Sequence, residues 1–144
     1  MKPRRETVST MRVRYAETDQ MGVVYHTHYL VWCEVGRTDY IREWAMPYAR
    51  LEQEGCVLAV AEVNIRYLAA ARYDDLVHVT TWIERVQSRA ITFGYSLASE
   101  RDCTQQRIAT ATIKLIALDG AGAPRTLPDH LLRRFREEVD TNTN

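Results

Sequence analysis

No apolar run in the chain approaches the roughly 18 residues that a membrane span requires, so no segment is predicted to insert into a bilayer. The first residues, MKPRRETVST, hold no apolar stretch of the kind a secretory signal carries. Cysteine is scarce. Cys33, Cys56 and Cys103 are odd in number, widely spaced and free of any CxxC pair, which argues against both a disulfide framework and a zinc site. Net charge is also missing, because nineteen basic side chains cancel nineteen acidic ones. Nothing in that balance favours nucleic acid or an anionic membrane as a partner. Neither a GxSxG elbow nor a family cysteine signature occurs, so a Ser-His-Asp or Cys-His arrangement is not discernible. Repeats, low-complexity segments and long linkers are absent as well.

What is present is enough apolar material for a core. The 144 residues are 46% hydrophobic and 26% charged, a balance typical of one folded, soluble domain rather than a disordered chain. Unpaired cysteines make a reducing cytoplasm the expected setting.

The periodicity changes along the chain. Residues 7–15 alternate Ser9, Met11, Val13 and Tyr15 against Val8, Thr10, Arg12 and Arg14, which predicts a half-buried strand. After Gly22, Tyr29, Cys33, Gly36, Tyr40 and Trp44 recur at intervals of four or three and form one face of a helix that opens near Thr27. Glycine on that face costs about 1 kcal/mol relative to alanine, so a sheet is expected to pack very close to Gly36. Pro47 ends this helix, and YARLEQEG predicts a short second one stopping at Gly55. From there the period is two. Val57, Ala59, Ala61, Val63, Ile65 and Tyr67 are expected to share one face of a long strand, followed by strands over 76–86, 90–99 and 108–118. The breaks AAARYDD, VQSR, ERDCTQQ and DGAGAP separate them, and PDHLLRRFREEV predicts a final helix with Pro128 near its start.

A long helix followed by four strands with tight turns implies an α+β architecture, with an antiparallel sheet and the helix on one face. A sheet of about five strands over one helix leaves edges in need of partners, so a dimer at least is expected.

Chemistry concentrates in residues 15–37, YAETDQMGVVYHTHYLVWCEVGR. Asp19 falls in a turn a few residues before the helix start. A helix start leaves backbone N–H groups without intrahelical acceptors and carries partial positive charge. A carboxylate beside such donors suits acyl transfer, since the donors can hold the oxyanion of a carbonyl under attack. A turn aspartate bonded to its own backbone is the plain alternative. His26 and His28, two apart, do not share a helix face, and no further ligand falls at metal spacing, so no metal or cofactor is expected.

These residues carry a resemblance. Tyr15, Glu17, Thr18, Asp19, Gly22, Val23, Val24, Tyr25, His26, Tyr29, Glu34 and Arg37, then Tyr67, Ala71, Asp74, Asp75 and Leu76, then Leu127 and Pro128, resemble the 4-hydroxybenzoyl-CoA thioesterase family of the hot-dog fold. The similarity is to its branch of small bacterial acyl-CoA thioesterases associated with the Tol–Pal system, and it spans roughly residues 10–138 of a single domain, 1–144. It implies a curved antiparallel sheet wrapped around a central helix, and an enzyme that hydrolyses acyl-CoA to a carboxylic acid and CoA. On the same resemblance Asp19 is the general base or the nucleophile, and His26 is its helper. Gly22 and the backbone of Val24, Tyr25, His26 and Thr27 are the oxyanion region, while Arg89, and more weakly Arg125, meet the CoA phosphates. The active unit is a homodimer or homotetramer with sites between subunits. A thioesterase acting on acyl carrier protein and a non-catalytic acyl-CoA-binding protein are the alternatives.

Overall fold

The computed structural model describes the backbone of residues 3–142 and the side chains of residues 3–139. Strand β1 (Thr7–Arg12) leads through a 3₁₀ turn at Tyr15–Glu17 to helix α1 (His28–Trp44) and a short α2 (Tyr48–Gln53). Four strands follow, β2 (Val57–Tyr67), β3 (Leu76–Gln87), β4 (Ala90–Arg101) and β5 (Thr104–Leu118), before α3 (Asp129–Asn142) closes the chain. All strand pairs are antiparallel in one sheet of order β1-β3-β4-β5-β2. This is the α+β arrangement of helix and antiparallel sheet that the periodicity predicts, and the hot-dog fold that the resemblance implies.

Helix α1 lies across β1, β3 and β4 and buries Tyr29, Trp32, Cys33, Gly36, Tyr40 and Ile41. Each large side chain taken from water there contributes about 1.5–3 kcal/mol. The close approach expected at Gly36 is real: a Cβ at this position would collide with Thr81 Oγ1 and sit 3.0 Å from Val79 Cγ1, both on β3. The inner face of β1 is polar, and its hydroxyls reach the helix. Ser9 donates to Asp39 at 2.7 Å and Thr7 to Glu43 at 2.7 Å.

Two expectations need correction. The strand over 57–67 does not keep one face. Its register with β5 shifts between Val60 and Glu62, where Ala61 is the extra residue of a β-bulge. Leu58 and Val60 oppose the buried Ala117 and Leu115, and beyond the bulge Val63 and Ile65 oppose Ile113 and Ala111, so parity changes at Ala61. The break ERDCTQQ is also much shorter than expected. Arg101 pairs with Thr104, and only Asp102 (φ 51°) and Cys103 (φ 63°) turn the chain. Two consecutive positive φ angles match the tight hairpin that follows the strands' twist, and β5 therefore begins at Thr104.

Strand β2 sits at the end of the sheet with one edge unpaired among the described residues, and Val60, Val63, Tyr67 and Leu68 are each 41–51% exposed. Among the described residues, no helix is long and apolar enough to cross a membrane. Cys33 and Cys56 are buried, Cys103 is exposed, and none is in a disulfide.

Candidate active site

The segment between β1 and α1 is held by backbone bonds to the 71–75 turn. Val13 N–H donates to Asp75 O at 2.9 Å and Val24 N–H to Ala71 O at 2.9 Å. Within the segment, Thr18 and Val24 form an antiparallel bridge, with Asp19 N–H donating to Val23 O at 2.9 Å. Asp19 thus stands at the narrow end of a small hairpin and His26 just beyond the other arm. Asp19 is half-buried, and its Oδ1 accepts the Met21 amide at 2.8 Å, the local turn that aspartate favours. Among the described residues, Oδ2 has no hydrogen-bond donor. Gly22 takes φ +78° with nothing within 4 Å of a hypothetical Cβ, so its backbone conformation rather than crowding selects glycine.

Helix α1 starts without a side-chain cap, Thr27 being its N-cap residue. Two of the amides expected to be open are engaged. Val24 N–H is held by Ala71 O, and Tyr25 N–H donates to Glu17 O at 2.9 Å. A donor already bonded inside the chain cannot bind an oxyanion without breaking that bond. The amides of His26 and Thr27 have no acceptor among the described residues. The oxyanion region is therefore narrower than the sequence implies.

Aromatic rings border these amides. Tyr67 on β2 donates its hydroxyl to His26 O at 3.0 Å, and the His26 ring lies 4.5 Å from Tyr25 and 6.3 Å from Tyr67 between centroids. Tyr29 stacks edge-on with Tyr67 at 5.2 Å and accepts the Ala71 amide at 3.0 Å. Burial pushes the phenol pKa of Tyr67 upward, with Tyr29 and Cys33 adding to it. It is a hydrogen-bond donor at neutral pH, not a base. The Cys33 thiol, deep under α1, is pushed up to about 12 by burial despite the nearby Arg37 cation, and is inert as a nucleophile.

The remaining candidates lie elsewhere. Arg89 is exposed in the β3–β4 turn, on the rim of a groove of about 340 Å³ that Ser88, Lys114, Ile116 and Pro124 also line. Arg125 is committed to backbone carbonyls, Thr126 O at 2.7 Å, Gly55 O at 3.1 Å and Glu54 O at 3.3 Å. It caps the end of α2 instead of facing the groove. Glu34 and Arg37 do not pair with each other among the described residues. They line a small cavity with Thr38, Ile41, Tyr48 and Leu58, and Arg37 Nη1 turns inward without an acceptor. Within one chain, Asp19 lines none of the described cavities.

The sequence gives no role to Glu17, yet this carboxylate is 4% exposed and bonded to both walls of the segment. In the sequence Glu17 is one of the residues that carry the resemblance, with no role attached to it. Its main partner, Trp32, lies fifteen residues away.

Comparison with known proteins bears on the family and the fold. The family model described as the thioesterase-like superfamily matches residues 13–135. A protein of Bacillus subtilis named putative acyl-CoA thioesterase YneP is 44% identical over 87 residues, 60% of this chain and 63% of that protein. Acyl-CoA thioesterase YbgC of Haemophilus influenzae is 32% identical over 127 residues, covering 87% of this chain and 90% of its own. Among solved structures, a DHNA-CoA thioesterase from Staphylococcus aureus superposes with a TM-score of 0.83 at 29% identity, over 96% of this chain and 91% of that one.

Proposed function

The chain belongs to the thioesterase-like superfamily, and from that membership we propose how its own residues hydrolyse the thioester of an acyl-CoA to a carboxylic acid and CoA. The observation that carries the reading is the pair of open amides at His26 and Thr27, placed just across a hairpin from the carboxylate of Asp19. The thioester carbonyl oxygen sits on those amides. Asp19 Oδ2 then either takes a proton from a water that attacks the carbonyl carbon, or attacks it directly. On the first route the tetrahedral oxyanion collapses, the C–S bond breaks, and the proton held by Asp19 passes to the departing thiolate. On the second, the tetrahedral adduct of Asp19 and the thioester expels the thiolate and becomes a mixed anhydride; water then opens the anhydride, regenerates the carboxylate and supplies the proton that the thiolate takes up. His26 assists through its backbone amide, and its ring orients water or the carboxylate. Gly22 keeps the turn open above them. No metal or cofactor enters either route.

The substrate spans two chains. Asp19 is tied to the Leu76 end of β3 and Arg89 lies past its Gln87 end. Twelve residues of strand separate them, on the order of 35 Å at about 3.3 Å per residue. An extended pantetheine arm of about 13 bonds reaches only roughly 16 Å on ordinary bond lengths. Pairing the unpaired β2 edge antiparallel with a second copy changes the arithmetic. It brings the partner subunit's Arg89, which lies at the Val57 end of its own β2, to the end of β2 where Tyr67 and His26 lie. Three strand spacings separate the two regions, about 14 Å. A homodimer is thus the catalytic unit. Arg89 meets the phosphates, and Arg125, held by backbone carbonyls, does not. Three unpaired thiols fit work in a reducing cytoplasm.

The direct experiment is Asp19→Asn with thiol release from a panel of short, long and aromatic acyl-CoAs. We expect a loss of about 100- to 10,000-fold with an unchanged melting temperature. Wild-type turnover in the variant would remove both routes. Running carrier-protein thioesters in parallel separates the two kinds of thiol carrier.

A further inference from the structure

We propose that Glu17 is the positioning residue of this site, a buried carboxylate that fixes Asp19 and the amide donors relative to each other; the proposal rests on the reading of Asp19 above. Oε1 accepts the Arg14 amide at 2.8 Å, holding the 3₁₀ turn, and Oε2 accepts Trp32 Nε1 at 3.0 Å, holding the second turn of α1. Its backbone carbonyl takes the Tyr25 amide at 2.9 Å, one residue before the open amide of His26. Two basic groups approach the same carboxylate, Arg14 Nε at 3.6 Å and His28 Nδ1 at 4.0 Å. Glu17 stands two residues before Asp19, so one side chain links the wall that carries the acid to the wall that carries the donors.

The chemistry requires an anion at this position. Two N–H donors converge on it from different elements, and a carboxylate can accept from both. A glutamine of the same shape accepts one and turns its NH₂ toward the other. That forces the 3₁₀ turn or the helix start to shift, and misplacement of about 1 Å at a reacting centre costs on the order of 100-fold. Substrate affinity comes from contacts elsewhere, with the CoA arm and phosphates. The loss therefore falls on kcat and leaves KM alone.

Glu17→Gln and Trp32→Phe are measured singly and together, using whichever acyl-CoA of the panel is turned over fastest, well below each variant's melting temperature. The expected result is a kcat about 10- to 100-fold lower for Glu17→Gln, with KM changed by less than about twofold. Trp32→Phe lowers kcat in the same way. The double variant is no slower than Glu17→Gln alone, because without the Trp32 donor the glutamine amide no longer faces a second N–H. Glu138→Gln, which loosens the far staple between Arg5 and α3, should lower stability without touching kcat. A purely structural role for Glu17 would make its variant behave like Glu138→Gln, and that result overturns the proposal. If Glu17→Gln does not fold, Trp32→Phe decides alone, and a wild-type kcat there overturns it. An inactive Asp19→Asn beside unimpaired Glu17 and Trp32 variants rejects only the positioning role. An active Asp19→Asn rejects the reading beneath it.

Discussion

At position 36 the absence of a side chain sets the distance between α1 and β3. Helix propensity alone favours alanine there by about 1 kcal/mol. The added methyl would press on Thr81 and Val79, whose β-branched side chains have little freedom to move aside. Overpacking of this kind costs about 1–3 kcal/mol, so Gly36→Ala should unfold at lower urea while its kcat per folded molecule is unchanged. His26 makes a different prediction. Its open amide survives substitution, and only its ring is lost, so His26→Ala should reduce turnover less than Asp19→Asn does. A pH–rate profile unchanged by the substitution would deny the imidazole any titrating role. The same distinction explains what a sequence can reveal about a site. Asp19, Gly22 and the helix start are neighbours in the chain, and their chemistry is local. The engagement of Val24 by Ala71, of Arg125 by Glu54 and Gly55, and of Glu17 by Trp32 depends on segments that meet only after folding.

Among the elements, the 71–75 turn has the most to do with holding the site segment, and Asp75 holds the turn. Its carboxylate is 1% exposed and receives Arg101 Nε at 2.7 Å, Arg101 Nη2 at 2.8 Å and the Arg72 amide at 2.9 Å. Burial pushes its pKa upward, but the bonds from Arg101 and the Arg72 amide together outweigh it and leave the pKa below the ordinary 3.8. A depressed carboxylate pKa contributes stability that is fully present above the unfolded value and is lost as pH falls through the folded one. Asp75→Asn should therefore destabilise by about 1–3 kcal/mol at neutral pH. The gap between wild type and variant should close below about pH 4, which melting curves from pH 7 to 3 would follow. A gap that stays constant over that range contradicts the ionic role. Element boundaries were largely legible because residues alternate at a period of two in β3 and β4 and recur every three to four in α1. The bulge at Ala61 was not, because one inserted residue in an apolar run leaves the composition unchanged while reversing which side faces inward. The Asp102–Cys103 turn was hidden for a related reason, since cysteine is not a residue that usually marks positive φ.

For the whole molecule, the decisive feature is that β2 ends the sheet with an open edge and exposed valines. Val63→Asp should convert the proposed dimer to monomers by sedimentation velocity and abolish acyl-CoA hydrolysis together with it. An active monomer would contradict the shared site. Mixing offers a sharper check. Asp19→Asn and Arg89→Ala are each expected to be weak at acyl-CoA concentrations well below KM. In a re-equilibrated one-to-one mixture, half the dimers are heterodimers, and each of these pairs an intact Asp19 with an intact Arg89. About a quarter of all sites should recover. No recovery would place both residues in the same chain's site.

On the proposed pairing, that bare rim also ties output to abundance. Where copies are scarce, the number of working centres rises with the square of the amount of protein, so halving the supply removes three quarters of the hydrolysis rather than half.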